Sequence, residues 1–149
     1  MKTIYLGLGS NIGDRRALLE DALHRIAAAG ITITKRSTVI ETEPAYVLNQ
    51  PRFLNMVIEA KTTLMPRALL RTLQRIERDM GRRKIVDKGP RCIDIDILFY
   101  GDVVMCTKDL TIPHASLHER RFVLEPLNEI APRLVHPVLR KPVSELARL

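Results

Sequence analysis

Apolar and polar residues alternate most regularly between residues 93 and 97. Three isoleucines are separated there by Asp94 and Asp96, and apolar residues continue to Tyr100. A period of two with β-branched residues on one side is typical of a half-buried strand. The pattern therefore predicts a strand whose isoleucines enter a core and whose two aspartates face the other way.

Similar alternation predicts three earlier strands, over residues 4–8, about 31–42 and 53–62. The second of these is irregular around residues 35–37, which is typical of a β-bulge. The third is the most regular, and its core side carries Leu54, Met56, Ile58 and Ala60.

Apolar residues recur at helical spacing in two segments, which predicts two helices. The first follows a glycine-rich run at residues 7–14. We interpret this run as a tight turn, because its glycine spacing is one residue too long for a dinucleotide-binding fingerprint. Asn11 and Asp14 are alternative N-caps for the first helix, and Gly30 ends it. The second helix is predicted over residues 66–80.

The last third of the chain shows weaker patterns. A turn leads into a short strand over residues 103–106, and a short helix is predicted between His114 and Arg120. The remaining residues are interpreted as closing elements, with Ser144 as the candidate cap of a final helical turn.

The order of these elements is β-α-β-β-α-β with C-terminal additions. This order predicts an α+β fold of the ferredoxin-like type, an antiparallel sheet with helices on one face. The opposite face of the sheet is then expected to be open to a ligand.

Length and composition bound the class of protein. The chain has 149 residues, of which 46% are hydrophobic and 28% are charged, so one domain spanning residues 1–149 is expected. Its net charge of +7 favours a polyanionic partner such as a nucleotide, a nucleic acid or an acidic membrane surface. Cys92 and Cys106 form no C-x-x-C motif, and so sparse a pair indicates free thiols in a reducing compartment. No apolar segment is long enough to span a bilayer, so a cytoplasmic location is expected.

The two aspartates are the strongest candidates for chemistry. Residues two apart on a strand are separated by about 6.6 Å, so Asp94 and Asp96 can bind one divalent cation or flank a pair. Arg91 follows Gly89 and Pro90 and brings a guanidinium, which suits phosphate oxygens, to the same place. The alternative is an acidic, solvated sheet face with a structural salt bridge.

The segment 82–91 joins the second helix to the aspartate strand. It holds five Lys or Arg residues and one Asp. A basic loop beside a metal site is a candidate lid over a triphosphate. The alternative is a solvated run of charge.

Three pairs of side chains are further candidates, each with a structural alternative. Phe53 and Asn55 share one side of their strand and could clamp a flat heterocycle, or form an ordinary cross-strand pair. Gln74 and Glu77 share a helix face and could bind a nucleotide or meet water. The third pair, His114 and Arg120, could both reach phosphate oxygens, or the histidine could make a structural hydrogen bond.

Together these motifs resemble the 6-hydroxymethyl-7,8-dihydropterin pyrophosphokinase family of folate biosynthesis. The resemblance covers about residues 4–142, and its most specific marker is the run Gly-Pro-Arg-Cys-Ile-Asp-Ile-Asp-Ile-Leu at 89–98. The other markers are Gly-Ser-Asn-Ile-Gly-Asp at 9–14, Phe-Leu-Asn at 53–55, Gln-Arg-Ile-Glu at 74–77, Gly-Arg at 81–82, Ile-Pro-His at 112–114, Arg120 and Phe122.

The resemblance implies an ATP-dependent diphosphotransferase. It would move the β,γ-pyrophosphoryl group of ATP to the hydroxymethyl oxygen of the pterin and release AMP. Asp94 and Asp96 would hold two Mg²⁺ ions, which neutralise charge on the phosphate oxygens and lower the pKa of the attacking hydroxyl. The partners would be ATP and a reduced pterin, with no nucleic acid and no membrane, and the protein would be a monomer.

The resemblance also implies three sets of site residues. The catalytic set is Arg82, Arg91, Asp94 and Asp96. The ATP-binding set is Gln74, Glu77, Arg83, Lys84, Arg91, Ile97, Thr111, His114 and Arg120. The pterin-binding set is Thr42, Pro44, Tyr46, Phe53, Asn55 and Phe122.

Some positions depart from the family pattern. Lys88 stands where many members carry an aromatic residue, and the basic loop is about one residue shorter than in some members. Cys92 replaces the commoner threonine, and Asp109 falls where some members have a nucleotide-facing base. These departures leave the two aspartates and the pterin clamp unchanged.

Two other functions fit parts of the sequence. An RNA-binding module would suit the fold and the positive charge, but the chain has six Phe or Tyr residues, no Trp and no ribonucleoprotein motif. A metal-dependent nuclease would use the same two aspartates.

Overall fold

The computed structural model describes residues 1–42, 52–81 and 92–148. Its strands are β1 (Lys2–Ser10), β2 (Thr32–Arg36), β3 (Ile40–Thr42), β4 (Phe53–Thr62), β5 (Asp94–Tyr100), β6 (Met105–Cys106) and β7 (Thr111–Ile112). Its helices are α1 (Arg15–Ala28), α2 (Pro66–Asp79), α3 (Arg121–Ile130) and α4 (Val143–Leu146), with a 3₁₀ turn at Leu117–Glu119.

The strands form an antiparallel sheet in the order β2-β4-β1-β5, and β3 pairs with β4 beyond the end of β2. The helices α1 and α2 are inserted between strands as the sequence predicts. The α+β ferredoxin-like arrangement is therefore confirmed. Strand β5, which carries the two aspartates, lies at one edge of this sheet.

One face of the sheet packs against α1 and α2. The alternating residues of β4 lie in this core, together with the three isoleucines that surround the two aspartates. Ile4, Leu6 and Ile58 are fully buried there. Because side chains alternate along a strand, Asp94 and Asp96 point to the opposite face, as expected.

The opposite face is not open along its whole length. The C-terminal helices α3 and α4 cover part of it and form a second core, which includes Tyr5, Val57 and Phe99 of the sheet. The sequence pattern missed α3 because its apolar residues are interrupted by Pro126. The expectation of an open face is therefore wrong for this part, and a ligand can reach only the remainder.

Replacing Leu127 by alanine tests this second core. Leu127 lies on α3 and is fully buried. We expect Leu127→Ala to lower the free energy of unfolding by about 2–5 kcal/mol, as for other large-to-small core changes. Val138→Ala is the control, because that side chain is 55% exposed. Equal stability of the two variants in a denaturant titration would contradict a packed role for α3.

Several predicted elements need correction. Gly7 and Gly9 lie inside β1 rather than in a turn. The long second strand is divided into β2 and β3, with Ser37 between them. The Ser37 backbone N–H donates to the Val57 carbonyl, and the Ser37 Oγ accepts from the Val57 N–H. Strand β6 is shorter than predicted, and Ser144 lies within α4, whose N-cap is Pro142.

Of the two predicted N-caps of α1, Asn11 and Asp14, the structure has Asp14. Its Oδ1 accepts a hydrogen bond from the Ala17 N–H at 3.2 Å. The helix ends as predicted, and Gly30 follows it with φ of 86°. This left-handed conformation is one that glycine adopts without steric cost.

Strand β5 contains a bulge at Leu98. Tyr5 pairs with Phe99 and Leu6 pairs with Ile97, so Leu98 is the extra residue. Its carbonyl oxygen accepts a hydrogen bond from the His114 N–H at 3.1 Å. The bulge therefore attaches the C-terminal segment that carries His114 to the aspartate strand.

His136 gives the C-terminal loop a pH dependence. Its Nδ1 accepts hydrogen bonds from the backbone N–H groups of Val138 and Leu139 at 3.2 and 3.1 Å, which only the neutral ring can do. Burial, and to a lesser extent the charge of His118, lowers the pKa of His136 below its ordinary value of 6.5.

We expect His136 to destabilise the fold at acid pH. Below about pH 6.5 the unfolded chain binds a proton at this residue more readily than the folded chain does, so the free energy of unfolding decreases as the pH is lowered. His136→Asn keeps an acceptor without titrating and should reduce this slope, by at most about 1.4 kcal/mol per pH unit. The exposed His24→Asn is the control. Unfolding titrations between pH 5 and 8 that give parallel curves for wild type and His136→Asn would contradict the account.

Within the three described segments, no helix has the length and apolar character that crossing a bilayer requires.

Candidate active site

The uncovered part of the second face is a row of residues across three strands. Gly9 of β1 pairs with Asn55 of β4 on one side and with Asp94 of β5 on the other. In the next row, Gly7 lies between Val57 and Asp96. Adjacent strands are about 4.8 Å apart, so Asn55 and Asp94 are separated by roughly 10 Å with a glycine between them.

Gly9 has no side chain, and neighbouring side chains approach its α-carbon closely. A Cβ atom at this position would lie 2.8 Å from Asn55 Oδ1 and 3.5 Å from Phe53 Cδ1. The first distance is shorter than any ordinary contact between carbon and oxygen atoms. The glycine therefore permits Asn55 and Phe53 to lie over β1.

The orientation of Asn55 is fixed by Thr42. The Nδ2 group of Asn55 donates a hydrogen bond to Thr42 Oγ1 at 2.6 Å, and Asn55 is only 8% exposed. Its Oδ1 consequently faces Gly9. Phe53 lies half-buried on the same side of β4. The structure thus brings together Thr42, Phe53 and Asn55, three of the predicted pterin contacts.

Asp94 and Asp96 are both half-buried, and His114 lies close to them. The Nε2 atom of His114 is 4.0 Å from Asp96 Oδ2. Burial and the positive charge of Arg120 lower the pKa of His114 below its ordinary value, while the charge of Asp94 acts in the opposite direction. Its Nδ1 accepts from the Ser116 N–H at 3.4 Å, so the proton of the neutral ring is on Nε2, facing the aspartates.

Arg120 and Phe122 follow the 3₁₀ turn and lie together. The guanidinium carbon of Arg120 is 5.6 Å from the centre of the Phe122 ring, within the range of a cation–π contact. Phe122 is half-buried and packs against the second core. The structure therefore places one of the predicted aromatic contacts beside one of the predicted phosphate contacts.

Residues 5–132 match the profile of a family described as 7,8-dihydro-6-hydroxymethylpterin-pyrophosphokinase (HPPK). The chain belongs to this family.

Two curated relatives of the chain differ in length. The chain is 46% identical over 145 residues to the 2-amino-4-hydroxy-6-hydroxymethyldihydropteridine pyrophosphokinase of Aquifex aeolicus, covering 97% of this chain and 90% of that protein. It is 48% identical over 147 residues to the folic acid synthesis protein fol1 of Schizosaccharomyces pombe, covering 97% of this chain but 20% of that protein. The chain thus spans about a fifth of the longer fungal relative.

The fold is shared with solved structures. Plasmodium falciparum HPPK-DHPS, wild type with pteroate, superposes with a TM-score of 0.80 over 99% of this chain and 42% of that chain, at 18% identity. This similarity supports the ferredoxin-like arrangement of the HPPK chain.

The donor atoms at the HPPK site fit magnesium. The described segments contain no group of three or more His, Cys, Asp or Glu side chains arranged to hold a metal ion. Magnesium needs fewer protein ligands, because it is usually bound by one or two carboxylates with phosphate oxygens and water completing its shell. Asp94 and Asp96 provide such a pair on one strand face.

The predicted nucleotide residues are distributed around the outer edge of β5. Gln74 is exposed on α2, and Thr111 is half-buried on β7, and both of these elements contact β5. The Ile97 side chain is only 5% exposed and belongs to the core under α2. Any contact of Ile97 with a nucleotide would therefore involve its main chain.

Glu77 does not share an exposed surface with Gln74. It is 4% exposed, and its Oε2 accepts a hydrogen bond from the Ile95 N–H at 2.8 Å. The expectation that Glu77 and Gln74 share an exposed face of α2 is wrong, because the Glu77 carboxylate turns inward to the aspartate strand. The predicted contact of Glu77 with ATP stays a prediction. Asp109 is also engaged elsewhere, in a 2.7 Å ion pair with Arg67.

The remaining predicted site residues lie outside the described residues. They are Pro44, Tyr46, Arg82, Arg83, Lys84 and Arg91, together with the unusual Lys88.

A cavity of about 450 Å³ opens near the start of α1. Its lining includes Asn11, Gly13 and the ion pair between Arg15 and Glu41, which measures 2.8 Å. Its described lining includes none of the predicted site residues.

Sequence reasoning missed the contribution of Gly9 to the site. Its signal was present, because Gly7 and Gly9 alternate within an apolar strand, and glycine in a strand marks close approach of another group. The bulge at Leu98 had no signal, since Leu, Phe and Tyr there suit either face of the sheet.

Proposed function

We propose that this chain is a Mg²⁺-dependent pyrophosphokinase that transfers the pyrophosphoryl group of ATP to 6-hydroxymethyl-7,8-dihydropterin. The products are 6-hydroxymethyl-7,8-dihydropterin diphosphate and AMP, a step of tetrahydrofolate biosynthesis. Membership of the HPPK family and the name of the Aquifex relative support this reaction. The observation that carries it is the row Asn55, Gly9, Asp94, which joins a ring-binding amide to a metal-binding carboxylate.

The pterin lies flat over Gly9 in this proposal. Asn55 binds the edge of the ring, with Thr42 holding its amide, and the ring stacks between Phe53 and Phe122. The backbone near Pro44 and Tyr46 completes the contacts. The separation of roughly 10 Å across two strand spacings accommodates the bicyclic ring with its hydroxymethyl arm directed towards Asp94.

Asp94 and Asp96 would hold the Mg²⁺ ions, two in this proposal, that accompany the triphosphate. When bound, the metal ions supply charge neutralisation and a lowered pKa for the hydroxyl. The protein contributes position and positive charge. The Nε2–H group of His114 donates a hydrogen bond to a phosphate oxygen. The guanidinium of Arg120 binds beside it.

The basic segment acts on the phosphates. Arg82 and Arg91 neutralise charge that develops during transfer, and Arg83 and Lys84 bind the triphosphate. Gln74, Thr111 and the main chain at Ile97 line the adenosine.

Because Arg91 is proposed to act on the phosphates, Arg91→Ala should slow turnover more than it weakens pterin binding.

In this proposal, residues 1–149 form one pyrophosphokinase domain that acts as a monomer in the cytoplasm. Its partners are the two substrates, without nucleic acid or membrane.

The reaction requires both substrates, and this requirement tests the proposal. We expect AMP to form from ATP and Mg²⁺ only when 6-hydroxymethyl-7,8-dihydropterin is present, in amounts equal to pterin diphosphate. Binding of single-stranded RNA without ATP turnover would favour the binding module instead. Mg²⁺-dependent cleavage of RNA or DNA that is lost in Asp96→Ala would favour the nuclease.

A further inference from the structure

Glu77 is a buried carboxylate that accepts a hydrogen bond from the backbone of the aspartate strand. It lies near the C-terminal end of α2, is 4% exposed, and accepts the Ile95 N–H at 2.8 Å. Ile95 stands between Asp94 and Asp96. A side chain from a different element thus binds the strand at the residue that separates the two candidate metal ligands.

The position of β5 explains why this N–H group needs a partner. Among the described strands, β5 is the last of the sheet on its side, so its outward backbone groups pair with no further strand of that sheet. A buried N–H group without a partner is unfavourable. A carboxylate acceptor forms a shorter and stronger hydrogen bond than a neutral acceptor.

A buried carboxylate is unfavourable unless it is hydrogen-bonded. The bond from the Ile95 N–H stabilises the Glu77 carboxylate, and it links α2 to the aspartate strand at the residue between Asp94 and Asp96.

We propose that Glu77 is a positioning residue for the two aspartates, and that it acts by holding the Asp94–Ile95 peptide group in place. The proposal rests on the proposed function. Because the Asp94–Ile95 peptide is planar, holding its N–H group fixes the orientation of the adjoining α-carbons. The two carboxylates then keep one separation on the opposite face of the strand. Glu77 acts through β5 and does not contact the nucleotide.

Two substitutions of Glu77 separate positioning from other roles. Glu77→Ala removes the acceptor, and Glu77→Gln keeps an acceptor without the charge. Thr72→Val is the matched control, since Thr72 is also buried on α2 but its hydroxyl bonds only the Ala68 carbonyl. Three quantities are measured: hydrogen exchange of the Ile95 amide, Mn²⁺ affinity in the presence of α,β-methylene-ATP, and kcat at saturating ATP.

We expect Glu77→Ala to accelerate Ile95 exchange and to lower both Mn²⁺ affinity and kcat by about tenfold or more, as for other residues that orient metal ligands. Glu77→Gln should protect the Ile95 amide and retain kcat within about threefold, because a neutral acceptor preserves most of the bond. Thr72→Val should leave all three quantities at wild-type values.

Other results would overturn the proposal. An increased KM for ATP in both Glu77 variants, with Ile95 exchange and kcat unchanged, would mean that Glu77 binds the nucleotide. A tenfold loss of kcat in Glu77→Gln with a protected Ile95 amide would mean that its charge matters and its positioning does not. Should Glu77→Ala fail to fold, the Glu77→Gln results decide alone.

The proposed function and the positioning role fail in different ways. A wild-type protein that forms no AMP would contradict the function. Ile95 exchange and Mn²⁺ affinity would still decide whether Glu77 orders the aspartates.

Discussion

Asp96→Ala is expected to abolish pyrophosphoryl transfer while the fold remains intact. Asp96 is one of two carboxylates on the open part of the sheet, and its side chain is 38% exposed. Loss of a metal ligand removes several kcal/mol of charge stabilisation in the transition state, so the rate should fall about a thousandfold or more. Asp94→Ala should behave alike. Turnover is measured as AMP formation, and folding by circular dichroism and thermal denaturation.

Asp102→Ala is the control for this change. Asp102 is an exposed carboxylate in the turn that directly follows β5. It should keep wild-type turnover. Unfolding of Asp96→Ala under conditions where Asp102→Ala is folded would show that the aspartate pair is structural.

Gly9→Ala is expected to weaken pterin binding severely. The added methyl group would lie 2.8 Å from Asn55 Oδ1, so the amide must move from its bond with Thr42. The site then loses the group that binds the edge of the ring, and buried polar groups of the ligand lose a partner. We expect the Kd for the pterin, measured by calorimetry, to rise at least about tenfold, equivalent to about 1.4 kcal/mol.

Gly7→Ala is the matched control on the same strand face. A Cβ atom at Gly7 would meet the Leu98 side chain at 3.5 Å, an ordinary van der Waals distance. This variant should bind the pterin nearly as well as wild type. Equal weakening by the two substitutions would attribute the effect to the stability of β1 and would remove Gly9 from the site.

The sequence predicted the elements whose side chains alternate between a buried face and a polar face. The isoleucines around Asp94 and the apolar residues of β4 determine those strands locally, and both are confirmed. The family resemblance carried by residues 89–98 is confirmed as well. These features depend on neighbours in sequence, which a pattern can represent.

Features that depend on distant partners were not predicted. α3 covers the second face because Leu127 and its neighbours belong to one buried cluster with Val57 and Phe99 of the sheet, which no local pattern contains. The inward orientation of Glu77 depends on Ile95, 18 residues away, at an edge that only the sheet order defines. The bulge at Leu98 is similarly fixed by pairing with β1.

The central claim is transfer of a pyrophosphoryl group, and the fate of the β-phosphorus of ATP tests it most directly. The protein is incubated with Mg²⁺, 6-hydroxymethyl-7,8-dihydropterin and ATP radiolabelled at the β-phosphorus, and the products are separated. We predict that the label leaves with the pterin as its diphosphate and that unlabelled AMP forms in equal amount. Label retained in ADP, with a pterin monophosphate, would contradict the account.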